Sequence, residues 1–258
     1  MMKTGMTSVT FRNKSAEEIV CLTHKAGLTG IEWGGDVHVP AGDRAAARKA
    51  ALLTREAGLE VLSYGSYFRA GEEEDFSPIL ESAIELGAPM IRIWAGTKSY
   101  EDSSPEEFAA LAGRIREAGK LAAAAGIQLG MEYHRGTATQ TKEGAEALIK
   151  AINLPEAGCY WQPNPDISHS EQLAEIDLLL PFLQNIHVFC WTGNNERHFL
   201  SDGVSRWKDY LTHIQKSTGR HDLILEFVKD DSDEAFLFDA ETLKKLAAET
   251  AGLKGENV

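Results

Sequence analysis

Residues Ile127–Ile152 read IQLGMEYHRGTATQTKEGAEALIKAI. The first eight form a short run of apolar and aromatic residues, as a buried strand requires. The last twelve carry Ala145, Leu148, Ile149 and Ile152 at the i, i+3, i+4, i+7 spacing of a helix with one apolar face. Small polar residues separate the two. Strand side chains alternate between faces, so Glu132 and His134 share one face while Met131 and Tyr133 share the other. A strand ending in two titratable groups on one face either points them at solvent or aims them into a barrel mouth, where they bind a metal or move protons.

The same strand–loop–helix unit repeats along the whole chain. Strands are expected at TSVTF near Val9, GIEWG near Glu32, LEVLSY near Val61, MIRIWAG near Ile93, IQLGMEYH near Met131, GCYWQPN near Trp161, NIHVFCW near Val188 and LILEFV near Leu225. Helical patterns such as PEEFAALAGRIREAGKLAAAAG and RWKDYLTHIQKST lie between them, and ETLKKLAAETAG closes the chain. Ser15 with Glu18 three residues on is a capping-box start. Regular alternation implies parallel strands with right-handed crossovers. Eight units in 258 residues give about 32 residues each, the repeat of a (β/α)8 barrel. An open doubly wound sheet is the rival, but the turn after Val9 reads FRNKS rather than a glycine-rich phosphate loop. With no linker or low-complexity segment, the chain is expected to be one α/β TIM-barrel domain over residues 1–258. The long aperiodic stretch TGNNERHFLSDGVSRW then becomes a loop on the catalytic face after the seventh strand.

Composition agrees with a folded domain: 43% of residues are hydrophobic and 25% charged. The net charge is 26 − 39 = −13 and no Lys/Arg-rich run occurs, which argues against nucleic acid as a partner. The N-terminus has no apolar signal region and no stretch approaches the ~20 apolar residues of a membrane span, so a cytoplasmic protein with no membrane association is expected. Self-association into a homo-oligomer stays open. Cys21, Cys159 and Cys190 have no paired spacing and are expected to be reduced, buried small hydrophobes.

In such a barrel the active site is built at the C-terminal ends of the strands. The polar residues there are Asp36 and His38 after the second strand, Tyr64 and Ser66 on the third, Glu132 and His134 on the fifth, Gln162 and Asn164 on the sixth, His187 on the seventh and Glu226 on the eighth. Glu226 inside the apolar run LILEFV must be paired or ligating, because an isolated buried charge is costly. Glu32 and Arg92 sit mid-strand and read as a charge pair inside the barrel. His38 and His134 read as substrate-binding or ligand-supporting groups, or as loop residues facing the mouth. Trp94, Trp161 and Trp191 supply either core packing or an apolar wall for the C–H face of a sugar. Arg135, Arg197 and Lys229 stand just past strand ends, where a cation can hold an acidic group or simply face solvent.

The stretches IEWGGDVHVP, MIRIWAG, GMEYHRGTATQT, IHVFCW, RHFLSDGVSRWKDYL and LILEFVKDDS, in that order, resemble the xylose isomerase-like barrels of the sugar phosphate isomerase/epimerase family over nearly the whole chain. The resemblance implies one divalent cation held by Glu132, Gln162, His187 and Glu226. It departs at the sixth strand, where the family's usual carboxylate is replaced by the amide of Gln162, with Asn164 or Asp166 as alternatives. Two carboxylates, an imidazole and an amide oxygen suit Mn²⁺ or Mg²⁺ and can take Zn²⁺ or Co²⁺. The expected chemistry is isomerisation or epimerisation of a small sugar, sugar phosphate or related polyol. In that reaction Glu132 and Glu226 move the proton through a metal-stabilised enediolate, and His38, Tyr64, Trp94, His134, Arg135, Asn164 and Arg197 surround the substrate. An inosose-type dehydratase or lyase would use the same groups, a sugar-binding barrel would do no chemistry, and an AP endonuclease-like phosphodiesterase would need many more ligands and a basic surface.

Overall fold

Eight parallel strands close into a barrel in a computed structural model that describes residues 2–253. They are β1 (Thr4–Thr7), β2 (Gly30–Gly34), β3 (Glu60–Gly65), β4 (Met90–Ile93), β5 (Gln128–Glu132), β6 (Ala157–Trp161), β7 (Leu183–Val188) and β8 (Leu223–Leu225). Each pairs with its sequence neighbours, and β1 closes the ring against β8. The helices α1 (Ala16–Lys25), α2 (Arg44–Glu56), α3 (Ser77–Leu86), α4 (Pro105–Ala124), α5 (Lys142–Ile152), α6 (His169–Leu179), α7 (Val204–Ile214) and α8 (Asp233–Leu253) alternate with them, giving the (β/α)8 barrel the alternation implied. Among the described residues no helix is long and apolar enough to cross a membrane.

Local chemistry sets the boundaries. Ser15, Ser104 and Ser168 each close a capping box with Glu18, Glu107 and Glu171, satisfying backbone N–H groups that the first helical turn leaves without partners. On α5 the stripe Ala145, Leu148, Ile149 and Ile152 is buried, so its apolar face is the one that meets the sheet. Inside the barrel, Gly65 makes room for charge: a Cβ there would lie 2.9 Å from Arg92 Nη2 and 3.1 Å from Glu32 Oε1.

Two expectations are corrected. The first strand is Thr4–Thr7, and the stretch around Val9 is instead a 3-10 turn over Ser8–Phe11. Val9 and Phe11 are buried in that turn, so their alternation imitated a strand without being one. Cys21 is exposed on α1 and Cys190 is half-buried, leaving Cys159 as the buried thiol. The long loop after β7 forms a small hairpin, Trp191–Thr192 against Glu196–Arg197, before α7.

Candidate metal centre and active-site cavity

At the C-terminal mouth of the barrel lies a cavity of about 280 Å³. Glu132, Gln162 and Glu226 line it, and all three approach His187, which is fully buried. His187 Nδ1 lies 3.0 Å from Gln162 Oε1, 3.5 Å from Glu132 Oε1 and 3.5 Å from Glu226 Oε2. Its Nε2 lies 3.1 Å from Glu32 Oε1. Glu32 also accepts a hydrogen bond from Ser63 Oγ at 2.6 Å. Arg92 crosses the interior, donating to Glu132 Oε2 at 2.6 Å and approaching Glu32 to 3.8 Å. The expected Glu32–Arg92 pair is therefore part of a larger network.

Strand parity explains the arrangement. Glu32, Arg92, Glu132 and His187 meet inside the barrel, while the alternate residues Trp33, Tyr133 and Trp161 go to the outer layer, where they hydrogen-bond Thr54 and Glu175. Glu226 stands one residue past β8, held by its N–H to the Val188 carbonyl at 3.0 Å.

The electrostatics split the two site carboxyls. Burial opposes ionisation of Glu132, but Arg92 and then His187 overcome it and hold its pKa down to about 2. For Glu226 burial dominates; His187 opposes it and the Glu132 charge adds to it, and the pKa is pushed up to about 7. Burial disfavours a charged His187, yet Glu226, Glu32 and Glu132 together raise its pKa well above the usual imidazole value. A cation at this point is thus strongly favoured by its surroundings.

The donor set fits a divalent metal. When Nε2–H is donated to Glu32, the Nδ1 lone pair is left facing three oxygens, the arrangement in which a carboxylate behind a ligating histidine fixes its tautomer. Glu132, His187 and Glu226 each offer a ligand atom, all within 4.8 Å of one another. Gln162 Oε1 supplies a fourth donor without adding charge.

Among the other sequence candidates, Trp94, His134, Arg135 and Asn164 line the cavity. His134 stacks on Trp94 at 4.2 Å, and Arg135 pairs with Asp166 at 2.8 Å. The Asn164 side-chain oxygen accepts from the Asp166 N–H. The structure does not bring the remaining three to the lining. His38 is buried and donates to the Lys14 carbonyl, Tyr64 points outward and donates to the Val39 carbonyl, and Arg197 pairs with Asp231 behind Trp191 and Phe227. Lys229 lies over Phe199. Arg12, Tyr67, Gln140, Phe189 and Phe227 line the cavity without having been singled out. Arg12 follows the first strand within FRNKS and Phe227 follows Glu226 directly, so adjacency to strand ends was the available signal.

Comparison with known proteins agrees with the fold. Solved structures of the same fold include a probable 3-DHS dehydratase from Bacillus anthracis, 18% identical, covering 95% of this chain and 99% of that one with a TM-score of 0.79. An L-ribulose 3-epimerase is 17% identical over 99% of this chain and 97% of that one, TM-score 0.73. A barrel from Mycobacterium smegmatis in complex with magnesium is 16% identical over 97% and 98%, TM-score 0.68. At these identities the likeness establishes the fold alone. No curated protein sequence matches the chain. The family model described as xylose isomerase-like TIM barrel matches residues 21–248, and the chain belongs to that family.

Proposed function

We propose that the protein is a divalent-metal-dependent isomerase or epimerase of a small sugar, sugar phosphate or related polyol. The observation that carries this reading is the convergence of Glu132, His187 and Glu226 within 4.8 Å, with both carboxylates lining a cavity at the barrel mouth. Glu132, Gln162, His187 and Glu226 would hold the metal, which supplies Lewis-acid polarisation of a substrate carbonyl. Glu132 and Glu226 reach the cavity from strands separated by β6 and β7, so each approaches a bound substrate from its own side. One carboxylate removes the proton next to the carbonyl and the other returns it. Arg92 favours the ionised form of Glu132, the form that a metal ligand requires. Family membership and epimerases among the structural neighbours support sugar chemistry. A single ligand cluster among the described residues disfavours a multi-zinc phosphodiesterase.

The test is solvent exchange at saturating Mn²⁺. A substrate incubated in D₂O should gain deuterium next to the carbonyl, and Glu226→Gln should slow turnover by ~10²–10⁴-fold. A metal-loaded Glu226→Gln protein working at near the wild-type rate would remove Glu226 from the chemistry. Product analysis in the same samples separates isomerisation and epimerisation from loss of water.

A further inference from the structure

Glu175 is buried on α6, outside the barrel, where the steps proposed above make no use of it. A leucine would fill that place without the cost of desolvating a carboxyl. What the carboxyl adds is a pair of hydrogen bonds. Oε1 accepts from the Tyr133 hydroxyl at 2.6 Å and Oε2 from Trp161 Nε1 at 3.3 Å. Tyr133 directly follows Glu132, and Trp161 directly precedes Gln162. One carboxyl therefore grips the neighbours of two groups that face His187 Nδ1.

Gln172 extends the same grip. It is buried three residues before Glu175, a spacing that puts both on one face of α6. Its Nε2 donates to the Asn164 carbonyl at 2.6 Å, and its Oε1 accepts from the Tyr210 hydroxyl. The Tyr210 ring packs edge-on against Trp161 with centroids 5.0 Å apart. So α6 holds the chain on both sides of Gln162, at Trp161 through Glu175 and at Asn164 through Gln172. The β5 end is tied to β6 as well, since the Tyr133 N–H donates to the Tyr160 carbonyl at 3.2 Å. Successive strand side chains point to opposite faces, so a ring fixed on the outer face fixes the direction of the inward residue beside it. Metal–ligand distances are held to roughly ±0.2 Å, which leaves little room for either strand end to rotate.

We infer that Glu175 is a positioning residue of the metal site: by holding Tyr133 and Trp161 from outside the barrel, it sets the spacing of Glu132 and Gln162 around the ion. The inference rests on the metal site proposed above.

The test is the Kd for Mn²⁺ alone, measured by calorimetry on the full chain with folding checked by thermal melting. Glu175→Leu deletes both bonds and should raise the Kd about tenfold. Glu175→Gln can accept from Trp161 through its oxygen and donate to the Tyr133 hydroxyl through its amide, so it should stay within about twofold of wild type. Tyr133→Phe deletes one bond and keeps the ring, and should raise the Kd roughly threefold. Ile19→Val trims the buried core on α1 without touching the grip and should leave the Kd within about twofold. A folded Glu175→Leu protein with wild-type affinity would overturn the inference while leaving the metal site in place. Should Glu175→Leu prove unfolded, Tyr133→Phe decides in the same way. Equal losses in the Gln and Leu variants would also overturn it, by showing that the charge of Glu175 acts rather than its two bonds. Failure of the wild type to bind Mn²⁺ would remove the metal site and the inference together.

Discussion

Glu132 and Glu175 are both buried glutamates, 3% and 5% exposed, yet they sit in opposite electrostatic worlds. Glu132 ends β5 inside the barrel, against Arg92. Glu175 lies on α6 in the layer between strands and helices, where it accepts hydrogen bonds from Tyr133 at 2.6 Å and Trp161 at 3.3 Å. Glu132 and Tyr133 are consecutive, so one peptide unit divides the two environments. For Glu175 burial outweighs the help of Tyr133 and Trp161, and its pKa is pushed up to about 7. For Glu132 the guanidinium reverses the effect of burial. Burial alone neutralises a carboxyl; burial beside a fixed cation keeps it charged and available.

The strongest way to break this contrast is to remove the cation. Arg92→Leu would leave Glu132 and Glu32 buried without their counter-charge, and a loss of roughly 3–5 kcal/mol is expected in urea unfolding at pH 7. A loss below about 1 kcal/mol would mean that His187 alone carries the compensation. A smaller effect is expected on the outer side. The folded pKa of Glu175 lies above its ordinary 4.5, so the folded state binds the extra proton. Its contribution is fully present below about pH 4.5 and is lost as pH rises through 7. Glu175→Gln mimics the protonated form, and its stability relative to wild type should rise by about 1–3 kcal/mol between pH 4.5 and 8. A difference that stays flat with pH would show that Glu175 ionises normally.

The mildest change sharpens the inner side. Gln162→Asp adds a third carboxylate facing His187 Nδ1 and should tighten Mn²⁺ binding about tenfold by calorimetry. Unchanged affinity there, together with its loss in Asn164→Ala, would move the β6 ligand to Asn164.

The eight strand–helix units were legible because helix and strand periods differ and each helix carries its own start signal, as Ser15 and Glu18 do. The β1 boundary was not, since Val9 and Phe11 are buried in a turn as fully as they would be in a strand. Strand ends gave the height of a residue in the barrel but not always its direction. Ser63, one residue before Tyr64, bonds inward to Glu32, so parity sends Tyr64 outward. Phe227 stood next to a strand end, but the direction of its ring depended on a left-handed backbone that no residue type announces. The place of Arg12 in the cavity depended on where β1 stops.

The inner cluster of Glu132, Gln162, His187 and Glu226 is proposed to hold a divalent metal. Elemental analysis after dialysis against Mn²⁺ and gel filtration measures it directly, with wild type and His187→Ala compared and each checked for folding by melting. We expect about one ion per chain in the wild type and a large loss of retained metal in His187→Ala. A folded wild-type protein that retains no Mn²⁺, Mg²⁺, Co²⁺ or Zn²⁺, or one whose metal is unaffected by His187→Ala, would contradict it.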